Sequence, residues 1–383
     1  MLRCALLKQH RQLSYEELAF HLEDSASFRA FARLPLSWTP KKSALQGAIS
    51  AIRPETWEAI NRALLGDARL QKVEAGEVIR LDSTVTEALM HEPSDSSLLW
   101  DAVRIIVRLL KAAEGLAGIE IVWRDRRRAA KRRAYAIQFT RGRPKRVRQY
   151  RELIAIARAM LASLEAASAR LAPPADPKGL AWRASYDHYR PLIEQVIGQA
   201  ERRVIRGEAV PAGEKIVSLF EPHADIIVKG GRDTQYGHKL NLVAGRSGLI
   251  LDLVIEAGNP SDSERLLPML ERHIAVWGRA PRQAAADGGY ATSHNLGQAK
   301  ARGVSDMAFH KKAGLRVEDM VKSQWVYRKL RNFRAGIEAG VSCLKRAYGL
   351  ARCTWRGLAH FKAYVWSSIV AYNLALFARF KPA

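Results

Sequence analysis

The sequence predicts an α/β core, a mixed sheet flanked by helices, preceded by an N-terminal helical domain and interrupted by a large all-α insertion. Three observations predict it. Strand-like segments near 73–87, where β-branched content is high, and near 216–256, 281–286 and 304–309 alternate with helical ones, the succession an α/β core needs. Residues 97 to about 210 carry helical periodicity alone. Residues 1 to about 70 also read as helices, before any strand. The boundaries expected are 1–70, 71–96, 97–215, 216–355 and a C-terminal helix over 356–383. At 383 residues and 48% apolar content, several such parts and a packed core are affordable.

Each element follows from its residues. In L13-S-Y-E-E-L-A-F-H-L, Leu13, Leu18 and Leu22 fall at near-helical spacing, with Ser14 as N-cap and Glu17 three residues on. A loop with Pro35, Pro40 and Lys41-Lys42 leads to a second helical unit at 50–65. The chain opens abruptly on M1-L-R-C-A-L-L, which suggests a start internal to a longer reading frame. Val78, Ile79, Leu81 and Val85 mark the first strand. Leu99, Val103, Ile106 and Leu110 share a helix face, as do Leu153, Ile156, Met160 and Leu164. Pro173, Pro174 and Pro177 break this block before 185–204 resumes it. Ile216–Phe220 runs apolar and reads as strand. H238-K-L-N-L-V-A, the turn G245-R-S-G248 and L249-I-L-D-L-V-I form a hairpin-like pair. Ser261 and Glu264 make a capping box for a helix over 261–276. A short strand, 282–286, delivers Asp287 at its end. A helix near 293–302, a strand near 304–309 and a helix over 327–348 complete the core.

Charge narrows the partner. Lys and Arg number 62 against 38 Asp and Glu, a formal net charge of +24. Such an excess favours a polyanion, either nucleic acid or an anionic membrane. The run from Ala363 to Ala378 is too short to span a bilayer and Asn373 interrupts it, so a buried helix is expected. The N-terminus lacks a secretory pattern. Cys4, Cys343 and Cys353 form no CxxC pair, which fits a reducing cytoplasm and no zinc site. With membrane disfavoured, nucleic acid leads.

One run carries the most chemistry: R334-A-G-I-E338-A-G-V-S-C-L-K345. Offsets of four and seven return to one helix face, so a stripe presents a guanidinium, a carboxylate and an ammonium. Taken alone, the spacing is also that of a salt-bridged helix face. Two further acids stand in suggestive settings: Asp82 in V78-I-R-L-D82-S-T-V, and Asp287 in A284-A-A-D287-G-G-Y290. Taken singly, each also reads as an ordinary strand or turn acid.

Together these segments resemble the bacterial insertion-sequence transposases of the DDE class, whose catalytic core is RNase H-like, and among them the "not yet classified" group (ISNCY). That family places an Asp on a first strand before Ser/Thr, a second Asp before Gly and an aromatic residue, and a helical Glu in an R-x3-E-x6-K pattern. The family's frequent Tyr three residues before the Arg is Arg331 here. The resemblance extends through G258-N-P-S-D262, F309-H-K-K312 and C353-T-W-R-G357 and covers nearly the whole chain. It implies that Asp82, Asp287 and Glu338 are catalytic and bind Mg2+, with Mn2+ able to substitute, and that the helical insertion lies between the first two acids. Two Mg2+ ions roughly 3.5–4 Å apart suit hard oxygen ligands and phosphoryl transfer. Asp82 would bridge both, with Asp287 on one and Glu338 on the other, and in-line displacement would need no side-chain general base.

The same resemblance implies double-stranded DNA partners, the element ends and the target, and at least a homodimer to hold two ends together. It also implies an N-terminal helical domain, 1–70, that helps bind DNA, a packing domain without base contacts being the other reading. It implies a cytoplasmic, nucleoid-associated bacterial protein. Arg334 and Lys345 are assigned to phosphate contacts, with helix salt bridges to Glu338 as the other reading. His238-Lys239 and His310-Lys311-Lys312 are candidate DNA contacts. Trp355 either stacks on a base or packs under the core. The densest basic run, 124–148, is a second candidate DNA surface, and within it R141-G-R-P-K145 (Arg141, Arg143, Lys145) equals the core of the AT-hook, a minor-groove element. Two rivals stay open: a decayed, non-catalytic DNA-binding protein, and a metal-dependent nuclease without strand transfer.

Overall fold

A computed structural model describes residues 1–35, 37–117, 121–171, 176–229, 233–311 and 313–380. Two compact units emerge, one formed by Met1–Leu89 with Ile227–Ala383, the other by Met90–Ile226.

The first unit begins with helices α1 (Leu2–Arg11), α2 (Tyr15–Asp24), α3 (Ala26–Ala32), α4 (Lys42–Ser50) and α5 (Pro54–Leu70). At α2 the Ser14 hydroxyl accepts from the Glu17 N–H while the Glu17 carboxylate accepts from the Ser14 N–H, the expected capping box. Pro54 occupies the first turn of α5, where its missing N–H costs nothing. Strand β1 (Val78–Glu87) follows.

The second unit is helical: α6 (Asp95–Ala117), α7 (Arg127–Phe139), α8 (Arg143–Arg170) and α9 (Pro177–Ala200), the last running into a π-helical turn over Glu201–Arg206. Val103, Ile106, Leu110, Leu153, Met160, Leu164, Ile193 and Ile197 form its core. The Pro173-Pro174 break lies outside the described residues. Ile216–Phe220 is not the strand its apolar run suggested. Ile216 donates its N–H to Gln199 Oε1 at 2.9 Å, Ser218 Oγ accepts from the Phe220 and Glu221 N–H groups, and Leu219 is buried in this helical core. A short apolar run fits either a strand or a buried connector, and side-chain partners decide here.

The chain then supplies β2 (Asp225–Lys229), β3 (Asp233–Gly245), β4 (Ile250–Ile255), α10 (Asp262–Trp277), β5 (Gln283–Ala286), α11 (Ser293–Ala301), β6 (Asp306–Phe309), α12 (Val317–Met320), α13 (Gln324–Ala347) and α14 (Leu358–Phe377). Among the described residues the sheet runs β2-β3-β1-β5-β6, with β4 also on β3. Strands β1, β3 and β4 pair antiparallel, whereas β1–β5 and β5–β6 pair parallel. Parallel neighbours need helical crossovers, which α11 supplies between β5 and β6.

Alternate residues of β3 feed two cores. Leu240, Leu242 and Ala244 pack with α14 and the N-terminal helices; Val243 joins Ile79, Leu81, Leu266, Leu270, Ala284 and Leu330 on the other face. Asn373, the polar break in the apolar C-terminal run, is fully buried. Its Oδ1 accepts from the Ile250 N–H at 2.8 Å and its Nδ2 donates to the Ile250 carbonyl at 2.8 Å and to Asn61 Oδ1 at 2.7 Å. One side chain thus satisfies the open edge of β4 at its first residue, Ile250. No described helix is long and apolar enough to cross a membrane.

Candidate active site

The register brings the first two acids together. In the parallel pair β1–β5, Leu81 sits opposite Ala286, so Asp82 and Asp287 each follow a matched pair. Asp287 lies just past the end of β5, opening a 3-10 turn over Gly288–Tyr290. The outer ends of parallel strands are where open α/β sheets place their ligands. Helix α13, started by the Ser323 hydroxyl, turns Val326, Leu330, Ile337 and Leu344 inward and carries Arg334 and Glu338.

Arg334 gathers the three acids. Its side chain is almost fully buried, and its Nη2 donates to Asp82 Oδ2 at 3.0 Å and stands 3.7 Å from Asp287 Oδ2. Its Nη1 bonds Glu338 Oε1. The acids differ in exposure: the Asp82 side chain is 14% accessible, Asp287 41% and Glu338 61%. Asp82 Oδ1 also accepts its neighbour Ser83's N–H at 2.8 Å. The planar guanidinium suits this, since its fork offers several donors at once where a lysine offers a point charge. The pairing with Glu338 is the helix salt bridge that spacing allowed; the link to Asp82, 252 residues away, is a tertiary one.

The three carboxylates are hard oxygen donors of the kind Mg2+ takes. As they stand, no group of three His, Cys, Asp or Glu side chains among the described residues is arranged to hold a metal ion. The acids converge on the guanidinium instead, so a cation would share or take over that role.

A second set of residues explains the D-G-G-Y motif. A Cβ on Gly288 would lie 2.7 Å from Lys311 Cβ, and one on Gly289 would lie 2.9 Å from Asp262 Oδ2. Lys311 therefore runs alongside the Asp287 turn, following the His310 N–H that bonds the Ala286 carbonyl at 2.9 Å. Tyr290 is buried and donates to Asn241 Oδ1 at 3.0 Å, and Asn241 donates to Glu256 Oε1 at 2.8 Å. Burial, with the negative charges of Asp262 and Asp82 nearby, pushes the Tyr290 phenol well above its ordinary range, so it acts as a fixed donor. Sequence reasoning missed this network. Its signal was a polar residue, Asn241, inside an otherwise apolar strand.

The other expected contacts divide. Lys345, two turns beyond Glu338 on α13, is half-buried on the same helix. His238 and Lys239 are a correction: both are buried. His238 Nδ1 lies 3.0 Å from the Glu256 carbonyl with its ring edge-on to Phe361, and Lys239 bonds Asp262 at 2.7 Å and the Pro260 carbonyl at 2.7 Å. They brace the support network from within the fold. Lys312 lies outside the described residues. Arg141, Arg143 and Lys145 are exposed in the second unit, Arg143 and Lys145 within the first turn of α8 and not in an extended segment. Trp355 packs edge-on to Tyr364 with centroids 5.6 Å apart.

Residues 224–374 match the family model described as the Transposase DDE domain. The matched span includes Asp287, Arg334, Glu338 and Lys345; Asp82 lies before it. The match supports a DDE-transposase character for that part of the chain; proteins of this family act on DNA and generally use divalent metal ions. No curated protein and no solved structure matches the chain.

Proposed function

We propose that the chain is a DNA transposase of the ISNCY type with an RNase H-like core, acting from the cytoplasm on the bacterial nucleoid. In this reading it binds the terminal inverted repeats of its own insertion sequence, cleaves at the ends and transfers the 3′ ends to target DNA as a dimer or larger assembly. The observation that carries the reading is the convergence of Asp82, Asp287 and Glu338 on Arg334, where the end of β5 meets the middle of β1.

Mg2+ held by these carboxylates would neutralise phosphate charge and ease ionisation of the attacking oxygen. The chain's own residues do the rest. Asp82, the least exposed acid, is fixed by Arg334 and the Ser83 N–H. Asp287 and Glu338 reach solvent and face the substrate side. Arg334, too buried to reach a phosphate, orients the acids, while Lys345 and Lys311 add the positive charge that holds the phosphodiester against them. Lys239, through Asp262, fixes the floor beneath Gly289.

The test separates joining from cutting. Labelled duplexes carrying the DNA that flanks the gene are incubated with protein, Mg2+ and a plasmid target. End sequence joined to plasmid supports the transposase reading. Cut ends with no joining favour a plain nuclease, and binding with neither favours an inactive DNA-binding remnant.

A further inference from the structure

A cavity of about 400 Å3 opens in the first unit, away from the acids, between α1, the start of α2, the segment at Thr354-Trp355 and α14. Lys8 lines it and is only 7% exposed. Its ammonium has no hydrogen bond or ion pair among the described residues. Its neighbours are ring faces, Tyr15 with its centroid at 4.7 Å and Trp355 at 5.9 Å. Burial pushes the Lys8 amine below its ordinary value, while the Glu17 carboxylate pulls the other way. Glu17 sits at the solvent rim, held by the Ser14 N–H at 2.7 Å, so its repulsion of an incoming anion is screened by water and salt. A cation removed from water without an anion is costly; two aromatic faces recover part of that cost, and an anion recovers more.

We propose that this cavity binds one nucleotide of a DNA strand, its phosphate on Lys8 and its base against Trp355 and Tyr15, an inference that rests on the DNA-binding reading above. The volume exceeds what a lone phosphate fills, and aromatic rings beside a cation are how proteins hold a base with its backbone. The chain also ties this place to the acids. Glu87 ends β1 and its carbonyl accepts the Cys353 N–H at 2.8 Å, fixing the Thr354-Trp355 segment. Glu87 lies five strand residues beyond Asp82, about 16 Å along β1, the axial length of about five base pairs of duplex DNA.

The test is equilibrium binding of the full chain to a fluorescent duplex across a salt series. Lys8→Met removes the charge, keeps the length and leaves all three acids untouched. The expected result is affinity lowered about 5–10-fold, with the slope of log affinity against log salt shallower by about one. Affinity and slope equal to wild type would overturn the proposal. Cross-linking of wild type to bromodeoxyuridine-substituted DNA needs no variant. Attachment within residues 8–17 or 353–357 supports the site, and attachment elsewhere only would count against it. Wild type that binds no DNA would overturn this proposal and the transposase reading together, whereas a silent Lys8→Met in a protein that binds and cleaves would overturn this one alone.

Discussion

Replacing Gly336 with alanine sets two effects of opposite sign against each other. In an ordinary helix interior the change stabilises by about 1 kcal/mol. Here a Cβ at position 336 would lie 2.2 Å from Arg80 Nη1. The guanidinium is the tip of a flexible chain, so it gives way before the helix does. In moving, it leaves the Phe333 carbonyl, which it bonds at 2.7 Å, and the Phe333 ring, whose centroid is 4.7 Å away. A hydrogen bond from a charged donor contributes about 1.5–3 kcal/mol and a cation–π contact about 0.5–1. The losses exceed the gain, and Gly336→Ala should destabilise by about 1–3 kcal/mol. In an Arg80→Ala background the obstruction is gone, and the same change should stabilise by about 1 kcal/mol. Urea unfolding of the four proteins in this cycle reads the coupling directly. A stabilised Gly336→Ala single variant, or no coupling to Arg80, would refute the reasoning. The site has a stake in the result because Arg80 joins β1, which carries Asp82, to α13, which carries Glu338.

Other predictions follow from the same contacts. Arg334→Gln leaves Asp82 without its buried partner and should cost about 2–3 kcal/mol, below the usual figure for a buried pair because Asp287 and Glu338 reach water; millimolar Mg2+ should restore part of that loss in a thermal melt. Gly288→Ala drives a Cβ into the stem of Lys311 and should weaken duplex binding at low salt with little change in secondary structure, as read by titration and circular dichroism. Burial pushes the His273 imidazole down to about 4, the Gly76 carbonyl at 3.0 Å pulling the other way. Its folded value lies below the unfolded one, so its contribution is fully present above about pH 6.5 and is lost as pH falls toward 4, roughly 3 kcal/mol in all. His273→Gln should flatten the fall in melting temperature between pH 7 and 5, and an unchanged slope would assign that fall to other groups.

The sequence carried the local elements well. The β-branched run around Asp82, the Ser14 and Ser261 capping boxes and the 245–248 turn are each written in a few adjacent residues, and the structure forms each of them. The spacing of Arg334 and Glu338 on one helix face was equally legible, because helical geometry alone fixes it. What required the tertiary fold was register: only the pairing of Leu81 with Ala286 sets Asp82 beside Asp287. The same limit explains the errors. Lys239 and His238 read as candidate DNA contacts, yet they are buried against Asp262 and the Glu256 carbonyl, 18 or more residues away. Ile216–Phe220 has the apolar character of a strand, but Gln199 takes its first N–H.

The central claim is that Asp82, Asp287 and Glu338 form one metal-dependent cleavage site. Its most direct test is cleavage of a labelled element end with Mg2+ by wild type and by Asp287→Asn, with duplex binding measured in parallel. Wild type should cleave, the variant should not, and both should bind the duplex nearly equally. Equal cleavage by Asp287→Asn would contradict the claim.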